Sequence, residues 1–156
     1  MKGMIVMTEE TAITTADAMP LSLNGVLNAI VSKVATEGVY TTFAIESRDD
    51  QKRLFNSRQD CRLLRDFAQT PLKIVDMVFA PSTITDETGA EKTMLGVYLL
   101  DAEDNSYLST SNGVVKSAVD IITAFGEPST WNEPLTVVCK ETNTAKGRRF
   151  KFLAVE

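Results

Sequence analysis

Histidine is absent from this 156-residue chain, and with it go the commonest general base, the usual partner of a nucleophilic serine or cysteine, and the commonest zinc ligand. Cysteine is scarce: Cys61 and Cys139 stand far apart with no CxxC spacing, which argues against a disulfide framework or a thiolate metal site. Both are expected to be reduced, and Cys139, set in an apolar strand pattern, to be buried. No apolar run approaches the roughly 18 residues that a membrane span needs. The opening MKGMIVM passes into Thr8, Glu9 and Glu10, unlike a secretory signal, so the expectation is a soluble intracellular protein without membrane contact. No GxGxxG or GxxxxGK pattern cradles a phosphate. Asp101, Glu103, Asp104 and Asn105 bring oxygens together but lack the twelve-residue calcium loop and its closing glutamate; a strand-connecting turn is expected there. No metal, cofactor or catalytic residue is assigned, and an enzyme is disfavoured.

What the chain does have is segregated charge. The net charge is −5, yet Arg48 to Lys73 holds seven basic residues against four acids, and Lys140 to Lys151 five against one. Between them, Asp76 to Glu133 holds two basic residues against ten acids. Such clusters are either solvated faces or the footprint of a polyanion.

At 44% apolar residues the length suits one domain with an arm. Residues 1–37 are expected to form that arm, partly disordered or with one short amphipathic helix carried by Leu21, Leu23, Val26, Leu27, Ile30, Val31 and Val34, which packs either on the domain or on a partner. Residues 38–156 form the domain. Val39 to Glu46 and Lys52 to Asn56 read as a hairpin-like pair, and Arg58 to Gln69 as a short helix closed by Pro71. Leu72 to Phe79, Thr93 to Leu100 and Ser106 to Thr110 read as strands, with a long polar loop at Pro81 to Lys92. Val114, Ala118, Ile121 and Phe125, with Val115, Val119 and Ile122 alongside, describe one apolar helix face, capped by Ser111 or Asn112 and ended by Gly126 and Pro128. Two strands follow, Leu135 to Lys140 and Arg148 to Val155. Three strands, a helix and two strands is the order of an OB-fold, a five-stranded barrel that binds its ligands on strands 2 and 3; a small α+β sandwich gives a similar string. The fold class expected is mainly β, an OB-fold barrel with an N-terminal β/α extension.

Period-2 alternation puts Leu95, Val97 and Leu99 inside and Gly96 and Tyr98 outside; with Leu108 inside, Tyr107 and Ser109 point out. Two tyrosines on one outer surface would stack bases; the plainer reading covers them with the 39–70 segment. In the last strand, placing Phe150 and Phe152 in the core sends Arg149 and Lys151 outward, to form a basic rim with Lys140 and Lys146, while Arg148 can point either way. Lys52, Arg53, Phe55, Arg58 and Arg62 are a second candidate wall or a solvated face.

The segments YTTFAIESRDDQKRLFNS, PLKIVDMVFA, TMLGVYLLDAEDNSYLSTSNGVVKSAVDIITAFGEPSTW and PLTVVCKETNTAKGRRFKFLAV together resemble the single-stranded-DNA-binding proteins of tailed bacteriophages, including those with protein-primed replication. The resemblance spans residues 39–156. It is carried by LFNS after a charged turn, STSNGVV entering the helix, FGEP leaving it and KGRRF in the last hairpin. It implies an OB-fold that coats displaced single strands in the cytoplasm of an infected bacterial host, without sequence preference or cofactor, with single-stranded DNA and phage replication proteins as partners. Tyr98, Tyr107, Lys140, Lys146, Arg148 and Arg149 are the positions that best match its strands and last hairpin. The rival reading is an OB-like protein-interaction or virion-associated module.

Overall fold

The computed structural model describes residues 23–156, apart from Asp86, Thr144 and Arg148. Its elements are α1 (Leu23–Glu37), β1 (Tyr40–Thr41), α2 (Arg48–Gln59), β2 (Cys61–Leu63) with a 3₁₀ turn at Leu64–Phe67, β3 (Leu72–Thr85), β4 (Glu91–Asp101), β5 (Ser106–Ser109), α3 (Asn112–Phe125), β6 (Leu135–Asn143) and β7 (Arg149–Val155). One curled sheet runs β2-β5-β4-β3-β6-β7, with β1 also on β3. The protein is therefore mainly β with a half-barrel sheet and a few helices, consistent with an OB-like fold. The path ends at β2 and β7, and among the described pairings none joins these two strands, so the curl stays open between them.

A bulge at Val75 interrupts the register of β3 with β4. It shifts the side-chain parity, so that Leu72 and Ile74 before it share the inner face with Met77 and Phe79 after it. That face packs with Val97, Leu99 and the α3 stripe of Val114, Val115, Ala118, Val119, Ile121 and Ile122. Phe125, expected on that stripe, is half exposed because α3 ends there, at Gly126 with φ 84°. The helix expected in the arm packs on the domain: Ile30 of α1 is 1% exposed and belongs to the same core. The residues of the arm before Leu23 lie outside the described ones. Cys139 is buried, as expected.

The sequence expectation fails at three places. Residues 48–59 form a helix rather than a strand, because Ser47 and Asp50 make a reciprocal capping box. The segment after it is β2 and the 3₁₀ turn, rather than a helix from Arg58. The loop expected at Pro81 to Lys92 is mostly ladder: Ser82 to Thr85 pair with Met94 to Glu91, a run of β-branched and hydroxyl side chains suited to a pleated surface.

Asp50 carries a pH prediction. Its carboxylate accepts from Glu46 N at 3.0 Å and Ser47 N at 3.1 Å, and these bonds, the one from Glu46 foremost, hold it below the usual carboxylate range. A lowered folded value stabilises above the unfolded value of about 3.9 and is lost as pH falls through the folded one. Asp50→Asn should thus be less stable than wild type at pH 7, with the gap in urea midpoint closing as pH falls below the unfolded value of about 3.9. A gap constant with pH would contradict this cap.

Candidate nucleic-acid interface

The two tyrosines do not share a surface. Tyr98 pairs with Leu108 and Tyr107 with Leu99 across β4 and β5, and directly opposed residues lie on the same face. Tyr107 therefore points inward and Leu108 outward, the reverse of the sequence expectation. Tyr107 is 6% exposed, packs edge-on to Phe67 at 5.0 Å and donates to Asp101 Oδ2 at 3.2 Å. Burial pushes its phenol up, with Asp101 adding to the effect. Tyr98 does point outward, but it is 5% exposed in a second core with Val78, Ala80 and Leu100, covered by Val39, Phe43, Leu54 and Cys61. Its hydroxyl lies 3.1 Å from Ser82 Oγ. Gly96 admits Ser82 and Leu108 of the chain itself, since an added Cβ would stand 2.9 Å from Ser82 Oγ. The Asp101 turn is as expected: its Oδ1 accepts from Glu103 N and Asn105 N, and Asp104 takes a positive φ of 64°.

The last hairpin is also turned over relative to the expectation. Cys139 opposes Leu153, Glu141 opposes Lys151 and Asn143 opposes Arg149. Leu153 and Cys139 belong to the core, so Arg149 and Lys151 project from the inner face of the curl, beyond the point where the core ends. Phe150 and Phe152 take the opposite face with Thr142 and Lys140, their cross-strand partners. Core placement of the phenylalanines was the simplest reading of an alternating strand; a single buried Leu153 decides the parity instead. Phe150 is 43% exposed, and its ring lies 6.1 Å from that of Phe152 at an interplanar angle of 22°. Lys146 and Arg149 are exposed at the hairpin end and Lys140 is half-buried. Arg148 lies outside the described residues.

Where the curl stays open, a groove of 470 Å³ is lined by Leu63, Leu64, Arg65, Ile84, Thr85, Leu108, Ser109, Thr110, Ser111, Cys139 and Lys151. Arg65 and Lys151 bring positive charge from the two basic stretches into one cleft, and a row of hydroxyls, Ser109 to Ser111, runs along it to the start of α3. Burial pushes the Cys139 thiol up, with Lys151 opposing, so it stands neutral at pH 7 and adds only an apolar floor. Among the described residues, Arg65, Lys140, Lys146, Arg149 and Lys151 make no ion pair; the pairs are Arg53–Asp76, Arg53–Asp104 and Lys116–Asp120.

The upstream wall divides. Arg53 is turned into the fold, 2.9 Å from Asp76 and 3.1 Å from Asp104, over the Phe43 ring at 4.4 Å; helix α2 aims it there, where a strand would not. Arg62 donates to Asn105 Oδ1 at 2.6 Å. Lys52 and Phe55 are exposed, Phe55 at 63%. With Arg58, whose guanidinium reaches Pro81 O at 3.5 Å, Phe55 borders a shallow basin of 440 Å³ that also includes Ile45 and Leu54.

Sequence reading passed over Arg65, an isolated cation in a charged stretch that only the parallel pairing of β2 with β5 carries to the groove. No helix of the described residues is long and apolar enough to cross a membrane. The family described as phage single-stranded DNA-binding protein matches residues 33–156 of the chain. No curated protein and no solved structure matches it.

Proposed function

Because the chain belongs to the family of phage single-stranded DNA-binding proteins, we propose that it binds unpaired DNA without sequence preference along the open cleft of the half-barrel, with Arg65, Lys140, Lys146, Arg149 and Lys151 on the phosphates. The observation that carries this reading is the cleft itself: the two cationic stretches of an acidic protein meet there as Arg65 and Lys151. The basic hairpin continues the line outward. A groove of hydroxyls and apolar side chains with charged margins suits a flexible strand, whose phosphates are held by cations while its bases meet surfaces that do not distinguish them. Coating and protecting displaced strands during phage replication, inside the infected host cell, follows as the role. The protein is a binding protein without a catalytic step, and phage replication proteins are its expected partners.

Affinity for oligo-dT should fall with salt at a slope of log K against log[salt] near −3.5, from about −0.7 for each of five phosphates on a single strand. Lys146→Glu with Arg149→Glu should flatten the slope to roughly −2, with duplex DNA bound more weakly than oligo-dT by wild type. Failure to retain the protein on immobilised single-stranded DNA at low salt would overturn the proposal. It would favour the second reading, a protein-interaction module, for which the exposed Phe55 and Ile45 beside Lys52 and Arg58 supply the surface.

A further inference from the structure

The reading above supplies phosphate contacts and leaves the bases with no aromatic platform, since Tyr98 and Tyr107 are sealed in the two cores. We infer that Phe150 and Phe152 form the base-stacking surface, so that a strand crosses the last hairpin with its phosphates on Arg149 and Lys151 and its bases folded over the opposite face. The inference rests on the single-stranded DNA reading and adds residues to it.

Several observations converge on this pair. The two rings are nearly parallel, at 22°, and 6.1 Å apart, so they present a continuous apolar strip along the strand. Phe150 is 43% exposed within the most basic stretch of the chain, where an apolar ring gains nothing from solvent. Lys140 stands opposite Phe152 on the same face, placing a cation beside the strip. The Phe150 ring is also braced from behind. At Gly113 of α3, an added Cβ would stand 2.9 Å and 3.0 Å from Phe150 Cε1 and Cζ, so the first turn of the helix lies close to the ring edge. Finally, successive side chains of β7 alternate between its two faces, so Arg149 and Lys151 flank the strip from the other face, while the start of α3 meets the backbone of β7 at the Lys151 carbonyl. An extended strand crossing β7 near the hairpin end meets cations on one face and rings on the other. Every base has a π face, so such stacking needs no sequence.

The test compares wild type, Phe150→Ala, Phe152→Ala and Phe150→Trp with two ligands, oligo-dT and an abasic deoxyribose-phosphate oligomer of equal length. The expected result is about a tenfold loss of oligo-dT affinity in each alanine variant, with an unchanged salt slope. Abasic affinity should be equal in all four proteins, and Phe150→Trp should bind oligo-dT at least as well as wild type. Oligo-dT affinity unchanged in both alanine variants overturns the platform while leaving the single-stranded DNA reading intact. Equal losses for oligo-dT and abasic ligand, without rescue by tryptophan, also overturn it, because they report a disturbed hairpin rather than lost stacking. Absence of oligo-dT binding by wild type overturns both readings.

Discussion

Gly113→Ala should destabilise the protein by about 3 kcal/mol, the upper part of the range for overpacking a close-packed site. The sign is the informative part. Inside a helix, glycine to alanine ordinarily stabilises by roughly 0.8 to 1 kcal/mol, because alanine loses less backbone entropy. Gly113 has ordinary helical backbone in the first turn of α3 and is buried, so propensity alone predicts a gain. Sterics reverse it. A Cβ at Gly113 would land on the carbonyl oxygen of Lys151 and press on the Phe150 ring; the first obstacle is β7 backbone, which cannot swing aside as a long side chain can. Relief requires the start of α3 to lift from β7, loosening Val114, 0% exposed, and Leu153, 8% exposed, in the shared core. Urea denaturation should show a lower midpoint at nearly constant m. An alanine variant as stable as wild type would mean that helix and strand do not approach so closely. Since Phe150 and Lys151 are the contacts that the start of α3 would leave, affinity for oligo-dT should fall as well.

Local rules recovered much of this fold from the sequence. The α3 stripe, its Gly126 stop and the strands expected from Leu72, Thr93, Ser106, Leu135 and Arg148 carry periodic signals that need no tertiary information. The capping box at Ser47 and Asp50 is equally local, but the β-branched run just before it, VYTTFAIE, has the pattern of a hairpin strand. Facing was harder. In β4 three apolar residues out of step with Tyr98 gave the correct parity. In β5 and β7 the run is short and amphipathic on both faces, so one wrong anchor inverts every residue, as it did for Tyr107, Phe150 and Lys151. Nor does alternation reveal whether an outward face is wet: Tyr98 points away from the barrel and is buried because α2 and the segment before it form a second layer. Arg65 and Lys151 are 86 positions apart in the chain, and only the unclosed edge of the curl makes them neighbours.

Arg53→Ala should destabilise the protein by roughly 3 kcal/mol and leave its DNA affinity and salt slope unchanged. As a sequence feature Arg53 belonged with Lys52, Phe55 and Arg58 among the candidate phosphate contacts, but its guanidinium is already neutralised. Nη1 lies 2.9 Å from Asp76 Oδ2, with side-chain exposures of 24% and 13%, and the group sits over Phe43 at 4.4 Å. Asp76 also accepts from Thr42 Oγ1 at 2.9 Å, which ties β3 to the segment before α2. Deleting Arg53 leaves Asp76 with one hydroxyl donor in a largely dry position, and stranding one member of a fully buried pair costs about 3 to 5 kcal/mol. Partial solvent access puts this case at the lower end. The contact with Asp104, whose side chain is 71% exposed, contributes no more than about 1 kcal/mol. The double variant Arg53→Ala, Asp76→Ala should recover much of the loss, since no charge is then left behind. Binding separates the two roles: a cation held against two carboxylates releases few counterions, so the slope should stay near −3.5, about −0.7 for each of the other five cations. A slope flattened by about 0.7 in Arg53→Ala, with stability intact, would return this residue to the DNA-contacting set and undo the division drawn here between the α2 clamp and the hairpin cations.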